Sequence, residues 1–149
     1  MKKVKYISII LFLVLGLLWL YASSLIGVNE KAKQYLITLK QELKKDDLSP
    51  SIYVISGRRW KLDNYLLNKL SGAASRSQHL VGNAIDIIVL DVNQDGTANK
   101  KDVDLVYNIL NERIIKNKGG IGTYKNENEF FSRQMIHFDC RGVSARWNR

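Results

Sequence analysis

One cysteine, one proline and two histidines are all that this chain of 149 residues holds of those types, and each scarcity removes a class of explanation. Cys140 alone cannot form an internal disulfide, so no covalent staple holds the fold. Paired-cysteine motifs of the kind that define structural zinc sites are missing for the same reason. Any histidine chemistry must come from His79 and His137. No internal repeat or low-complexity segment interrupts the chain. The basic residues form no stripe interleaved with aromatics, and no recognition motif is present, so a nucleic-acid partner is not expected.

What the chain does hold is unevenly spread. Its hydrophobic content of 46% is inflated by one N-terminal block, in which Lys2, Lys3 and Lys5 precede an uncharged run from Tyr6 to Val28. A run of that length can span a bilayer, with the lysines left in the cytoplasm. Ala22-Ser23-Ser24 offers a signal peptidase small residues, but Leu25-Ile26-Gly27-Val28 continues the apolar run beyond it. Residues 1–28 are therefore read as a membrane anchor, with a cleaved signal and a secreted product as the alternative. In both cases residues 29–149 form one domain outside the cytoplasm. Without the three N-terminal lysines the net charge falls from +9 to +6. Such a surface suits anionic wall polymers or lipid, and equally an ordinary solvated exterior.

Helical spacing of Ala32, Tyr35, Leu36, Leu39 and Leu43 after a capping Asn29 predicts a helix, which Ser49-Pro50 ends. Ile52 to Ile55 reads as a short strand, Trp60 to Leu70 as a second helix, and Ala84 to Leu90 as a strand buried on both faces. Val103, Val106, Tyr107, Leu110 and Ile114 form another helical stripe, and Gln134 to Cys140 a final strand. The tail from Gly142 carries Trp147, expected to pack the end of the sheet. These elements predict an α+β domain with a small antiparallel sheet and flanking helices, preceded by an N-terminal transmembrane helix.

Within this frame Ser77-Gln78-His79-Leu80-Val81-Gly82-Asn83-Ala84-Ile85-Asp86 sets an imidazole and a carboxylate seven residues apart across a glycine. Asp86 on a doubly buried strand needs a partner, because an unpaired buried carboxylate costs several kcal/mol or neutralises. His137, in Met135-Ile136-His137-Phe138-Asp139, could supply a third ligand, and two imidazoles with one carboxylate describe a catalytic zinc site. The residues alone leave a second reading open: Asp86 caps a neighbouring backbone and His79 sits on a loop tip.

The ordered set Ser56-Gly57-Arg58-Arg59, Asn64, the stretch from Ser77 to Asp86, Gly119-Gly120-Ile121-Gly122-Thr123-Tyr124 and Ile136-His137-Phe138-Asp139 resembles the zinc D-alanyl-D-alanine carboxypeptidase family. That family includes phage L-alanyl-D-glutamate endopeptidases and vancomycin-resistance dipeptidases, and its fold recurs in the hedgehog signalling domain. The resemblance spans roughly Ser51 to Trp147. It implies zinc ligands at His79, Asp86 and His137. It also places Arg59 where the family's arginine holds a substrate carboxylate or carbonyl oxygen, a role suited to a guanidinium fork. The family sets an acid three positions before its last histidine ligand, where this chain has Gln134. Asp139, two residues from His137 and so on the same strand face, is the candidate base. The alternative for Asp139 is to orient Arg141 or a ligand. Glu129 is a further candidate.

Asp91-Val92-Asn93-Gln94-Asp95-Gly96-Thr97-Ala98-Asn99-Lys100-Lys101-Asp102 matches a twelve-position calcium loop, with Asp91, Asn93, Asp95, Thr97 and Asp102 as oxygen ligands. The alternative is a polar turn whose acids cap the next helix. The resulting expectation is a zinc-dependent peptidase, carboxypeptidase or endopeptidase, that cleaves peptidoglycan stem peptides with calcium as a structural ion. A different class remains beside it: a degenerate metal-binding module that holds wall peptide or a protein partner without hydrolysis. A calcium-regulated adhesion module rests only on the loop and the basic charge.

Overall fold

A computed structural model of the chain describes residues 12, 15–16, 25–71, 76–124 and 134–148. The expected membrane anchor lies almost wholly outside these, as does Glu129. Among the described residues no helix is long and apolar enough to cross a membrane.

Helix α1, Glu30–Lys45, starts where the Asn29 side chain accepts the Lys31 backbone N–H at 2.9 Å, and it buries the stripe Ala32, Tyr35, Leu36, Leu39 and Leu43. Strand β1, Ile52–Ser56, and helix α2, Lys61–Ser71, follow. A 3-10 turn over Gln78–Val81 leads into β2, Ala84–Val89. Helix α3, Lys100–Ile109, runs on into π-helical turns over Leu110–Ile115. Strands β3, Gly120–Tyr124, β4, Met135–Asp139, and β5, Ala145–Asn148, complete the domain.

The sheet order is β1-β2-β4-β3-β5. Four strands pair antiparallel, but β5 lies parallel to β3, so the sheet is mixed where an antiparallel one was expected. The reason is local. Asp139 ends β4 beside the start of β3, so the link 140–144 has only to round that end, with Gly142 at φ +91°. Arg146 then holds β5 in place by donating to the carbonyls of Lys116 and Gly119 and to Asn111 Oδ1. Ala-Arg-Trp-Asn carries little strand signal of its own, which is why the tail did not read as an element.

Alternation divides the sheet into two faces. Ile85, Ile87, Val89, Ile121, Ile136 and Phe138 pack with α1 and α3 into one core, which half-buried Cys140 also joins. On the opposite face, register sets Ser56, Asp86, His137, Gly122 and Trp147 in one row across the strands. A bulge between Val54 and Ser56 re-aims the end of β1 at that row.

The polar loop before α3 shows the contacts of the capping alternative. Asp102 is wholly buried; its Oδ1 accepts the backbone N–H groups of Val92 and Asn93, and its Oδ2 accepts that of Asn99, completing a capping box. Asp91 accepts from Asp95 and Gly96, and Asp95 accepts from Thr97. With both oxygens of Asp102 spent on backbone, the last ligand of the expected calcium set is turned into the protein. Asp102→Ala should lower unfolding stability by about 1–3 kcal/mol, the scale of stranded buried donors. Urea unfolding checks this, and the loss should be the same with and without millimolar calcium. A calcium-dependent loss would return Asp102 to the ligand set.

Candidate metal centre

His79, Asp86 and His137 come from three different elements, the 3-10 turn, β2 and β4, and all three are buried. Ser77 caps the turn by accepting the His79 N–H at 3.3 Å, a backbone role and not that of a nucleophile. Gly82 closes it in the left-handed region at φ +75°, and Asp86 then faces His137 directly across the ladder. Among the described residues this is the one group of three or more His, Cys, Asp or Glu side chains whose ligand atoms converge.

Each imidazole is oriented from outside the centre. The His79 Nδ1–H donates to the Gly57 carbonyl at 2.5 Å, which leaves the Nε2 lone pair pointing inward. His137 donates from Nε2 to Asp139 Oδ2 at 3.2 Å, which leaves Nδ1 inward. His79 Nε2 and His137 Nδ1 lie 3.0 Å and 2.8 Å from Asp86 Oδ1, and 3.1 Å from each other. Two nitrogen lone pairs and a carboxylate oxygen turned on one point repel one another unless a cation sits among them. Without a metal a proton serves: burial opposes the charged form of His137, yet hydrogen bonds to Asp139 and Asp86 raise its pKa overall. Burial likewise pushes Asp86 up, but its bonds to His137 and His79 outweigh this and hold it well below the usual carboxylate range. Nitrogen, nitrogen and oxygen donors with hydrogen-bonded outer partners fit zinc.

Arg59 stands beside the centre. Its guanidinium pairs with Asp86 Oδ2, its Nε donates to Ser56 Oγ at 2.9 Å, and its backbone N–H reaches the His79 carbonyl at 3.0 Å. The arginine expected to handle substrate thus pairs with the carboxylate of the candidate metal centre. Asn64 is buried on α2.

Asp139 is committed on both oxygens. Oδ1 accepts from the backbone of Gly120 and Arg141 and from Arg141 Nε, while Oδ2 accepts from His137 and from Arg141 Nη2 at 2.5 Å. Burial raises its pKa, but the hydrogen bonds from His137 and Arg141 more than offset this and hold it far below the ordinary value. A carboxylate so saturated makes a poor proton acceptor, and it touches the outer nitrogen of His137. This is the geometry of the orienting alternative.

The wall of the centre did not show in the sequence. Trp147 lies over Gly122, where a Cβ would collide with the indole, and its ring centroid is 5.2 Å from that of His137. Arg141 in turn covers Trp147 at 5.6 Å. The glycine run expected to permit close approach therefore admits an indole from β5, and the tryptophan expected to pack the end of the sheet lies beside His137 instead. Sequence signals the glycine; only the parallel pairing of β5 supplies the tryptophan.

No family model matches the chain, and no curated protein matches it. Among solved structures the fold is similar to that of Serratia marcescens L-Ala D-Glu endopeptidase ChiX. The TM-score is 0.50 at 13% identity, and the match covers 81% of this chain and 86% of that chain. At that identity the likeness is one of fold.

Protein purified without chelator should carry about one zinc per chain by elemental analysis, and His79→Ala or His137→Ala should each abolish it. Asp139→Asn should leave the chain folded while weakening zinc binding roughly 10- to 100-fold, the usual scale for an outer partner of a ligand histidine. Unchanged zinc affinity with lost hydrolysis would instead make Asp139 the base.

Proposed function

We propose that the protein is a zinc-dependent peptidase that hydrolyses peptidoglycan stem peptides, as a carboxypeptidase or an endopeptidase. The observation that carries this reading is the convergence of His79 Nε2, Asp86 Oδ1 and His137 Nδ1, each within 3.1 Å of the others, on one face of the sheet. Three protein ligands are the number found in catalytic zinc sites, whereas structural sites use four. The fold shared with an L-Ala D-Glu endopeptidase supports the choice of substrate.

Zinc held by these residues would supply Lewis acidity toward a peptide carbonyl and an acidified water. The chain does the rest. Gly57 and Asp139 hold the two imidazoles in the tautomers that keep their inner nitrogens unprotonated. Arg59, with one nitrogen on Asp86, keeps fixed positive charge at the rim where negative charge develops on the substrate oxygen. Trp147 shields one side of His137 from water. Calcium in the 91–102 loop is not needed for any of these roles.

A second reading, a module that binds wall peptide or a protein partner without cleaving it, is favoured by Gln134. Its side-chain nitrogen is buried without a hydrogen-bond partner among the described residues, and an amide cannot act as the base. Glu129 is then the acid to test. The zinc-loaded full chain should release product from purified muropeptides, lose that activity to a chelator and regain it with zinc. Arg59→Ala should lower kcat/KM by roughly a hundredfold, the scale of one lost oxyanion donor. Binding of stem peptide with no product after long incubation selects the second reading.

A further inference from the structure

Helix α2 presents apolar side chains to solvent. It buries Asn64 and turns Leu62, Tyr65 and Leu66 outward, with Trp60 just before it, so that these four are 50% to 75% exposed. Leu62, Tyr65 and Leu66 are spaced as one helical stripe, and a soluble helix would put such a stripe into the core. Exposed Lys61 and Lys69 flank it, and Lys69 Nζ lies 5.8 Å from the Tyr65 ring centre. An amphipathic helix with aromatic residues among lysines is the make-up of one that lies in a membrane interface.

This stripe is joined to the point where the N-terminal apolar run meets the domain. Arg58 packs on Gly27, within 2.8 Å of where a Cβ would stand, and its guanidinium carbon is 5.8 Å from the Trp60 ring centre. The Gly27 carbonyl presses on Gly82, and Asn29 donates to the Gly82 carbonyl at 2.8 Å. Next to these contacts Ile26 and Val81 are 69% and 65% exposed. Val28 is in the core and Leu25 packs against it, so the chain is already fixed to the domain from Leu25 on.

We infer that Ile26, Val81, Trp60 and the outer stripe of α2 rest on the surface of the anionic bilayer that the N-terminal segment enters. The inference relies on the reading of the N-terminal apolar run as an anchor, its last residues, Leu25 to Val28, belonging to the domain. Three features choose lipid over another occupant: continuity in sequence with the apolar run, the flanking Arg58, Lys61 and Lys69, and the packing of Leu25 and Val28 on the domain. The same two segments that present Arg58, Trp60 and Val81 outward present Arg59 and His79 inward. The rim of the metal centre is thereby held at the membrane surface.

The test uses the full chain, in a Cys140→Ser background, reconstituted in vesicles with and without anionic lipid. Nitroxide labels go on Leu62→Cys and Leu66→Cys, with Ile37→Cys and Val143→Cys as exposed controls from elsewhere on the domain. Labels at 62 and 66 should be several-fold less accessible to a water-soluble nickel chelate than the controls, and more accessible to oxygen. Equal accessibility at all four positions overturns the inference, and so does spin broadening between chains at 62 and 66, which would mark a second copy. Protection that is the same in neutral vesicles overturns the assignment to anionic lipid. Alkaline extraction of the same samples separates the two readings. Retention with water-exposed labels sinks the docked face alone, whereas extraction with lipid-facing labels sinks the anchor and upholds the face.

Discussion

A carboxylate buried in the middle of a sheet, opposite one imidazole and beneath another, is the constraint on which the site face of this protein depends. Asp86 could not remain charged there without partners, since stripping its hydration costs several kcal/mol. Its two oxygens point to different partners, Oδ1 to the histidines and Oδ2 to Arg59. Each partner is itself held, His79 by the Gly57 carbonyl, His137 by Asp139 and Arg59 by Ser56. The result is a preorganised set of inward lone pairs, and preorganisation is what distinguishes a ligand set from a chance cluster.

The sheet makes this possible by keeping its two faces chemically separate. One face is aliphatic and closes against α1 and α3, which supplies the burial that holds the strands in register. Freed of that duty, the other face can carry polar and aromatic groups. Glycines at 120 and 122 leave room for them, the first for Asp139 and the second for Trp147. Arg141 ties both together by pairing with the aspartate and covering the indole. A slip of β4 by one residue would send His137 into the aliphatic core and bring Phe138 to the face of the candidate site, so the same register that packs the core assembles the site.

Much of this was legible in the linear order of residues. The stripe of α1, its Asn29 cap and the buried β2 follow from periodicity, and the grouping of His79, Asp86 and His137 was one of two readings the residues left open, the one that the family resemblance implied. Less legible were the roles of residues whose chemistry allows two uses. Asp102 satisfies a calcium pattern and a capping box equally well, because the third residue of a helix is also the twelfth of the loop. Whether its oxygens meet backbone N–H groups or a cation depends on where Val92 and Asn93 lie. Asp139 was similarly ambiguous: strand alternation places it on the same face as His137 but cannot say whether it meets a substrate or the far nitrogen of the ring.

Sequence by itself determined what each segment could become, since helical or strand period, caps and the short supply of histidine are properties of neighbouring residues. It also limited the metal ligands to a handful of side chains. Only the tertiary structure decided how those side chains are shared. The parallel docking of β5, the indole laid over Gly122, the commitment of Asp139 to Arg141 and His137, and the outward turn of the α2 stripe are contacts that depend on how the segments pack in space. Their energies depend on distance and direction, which a linear order does not contain.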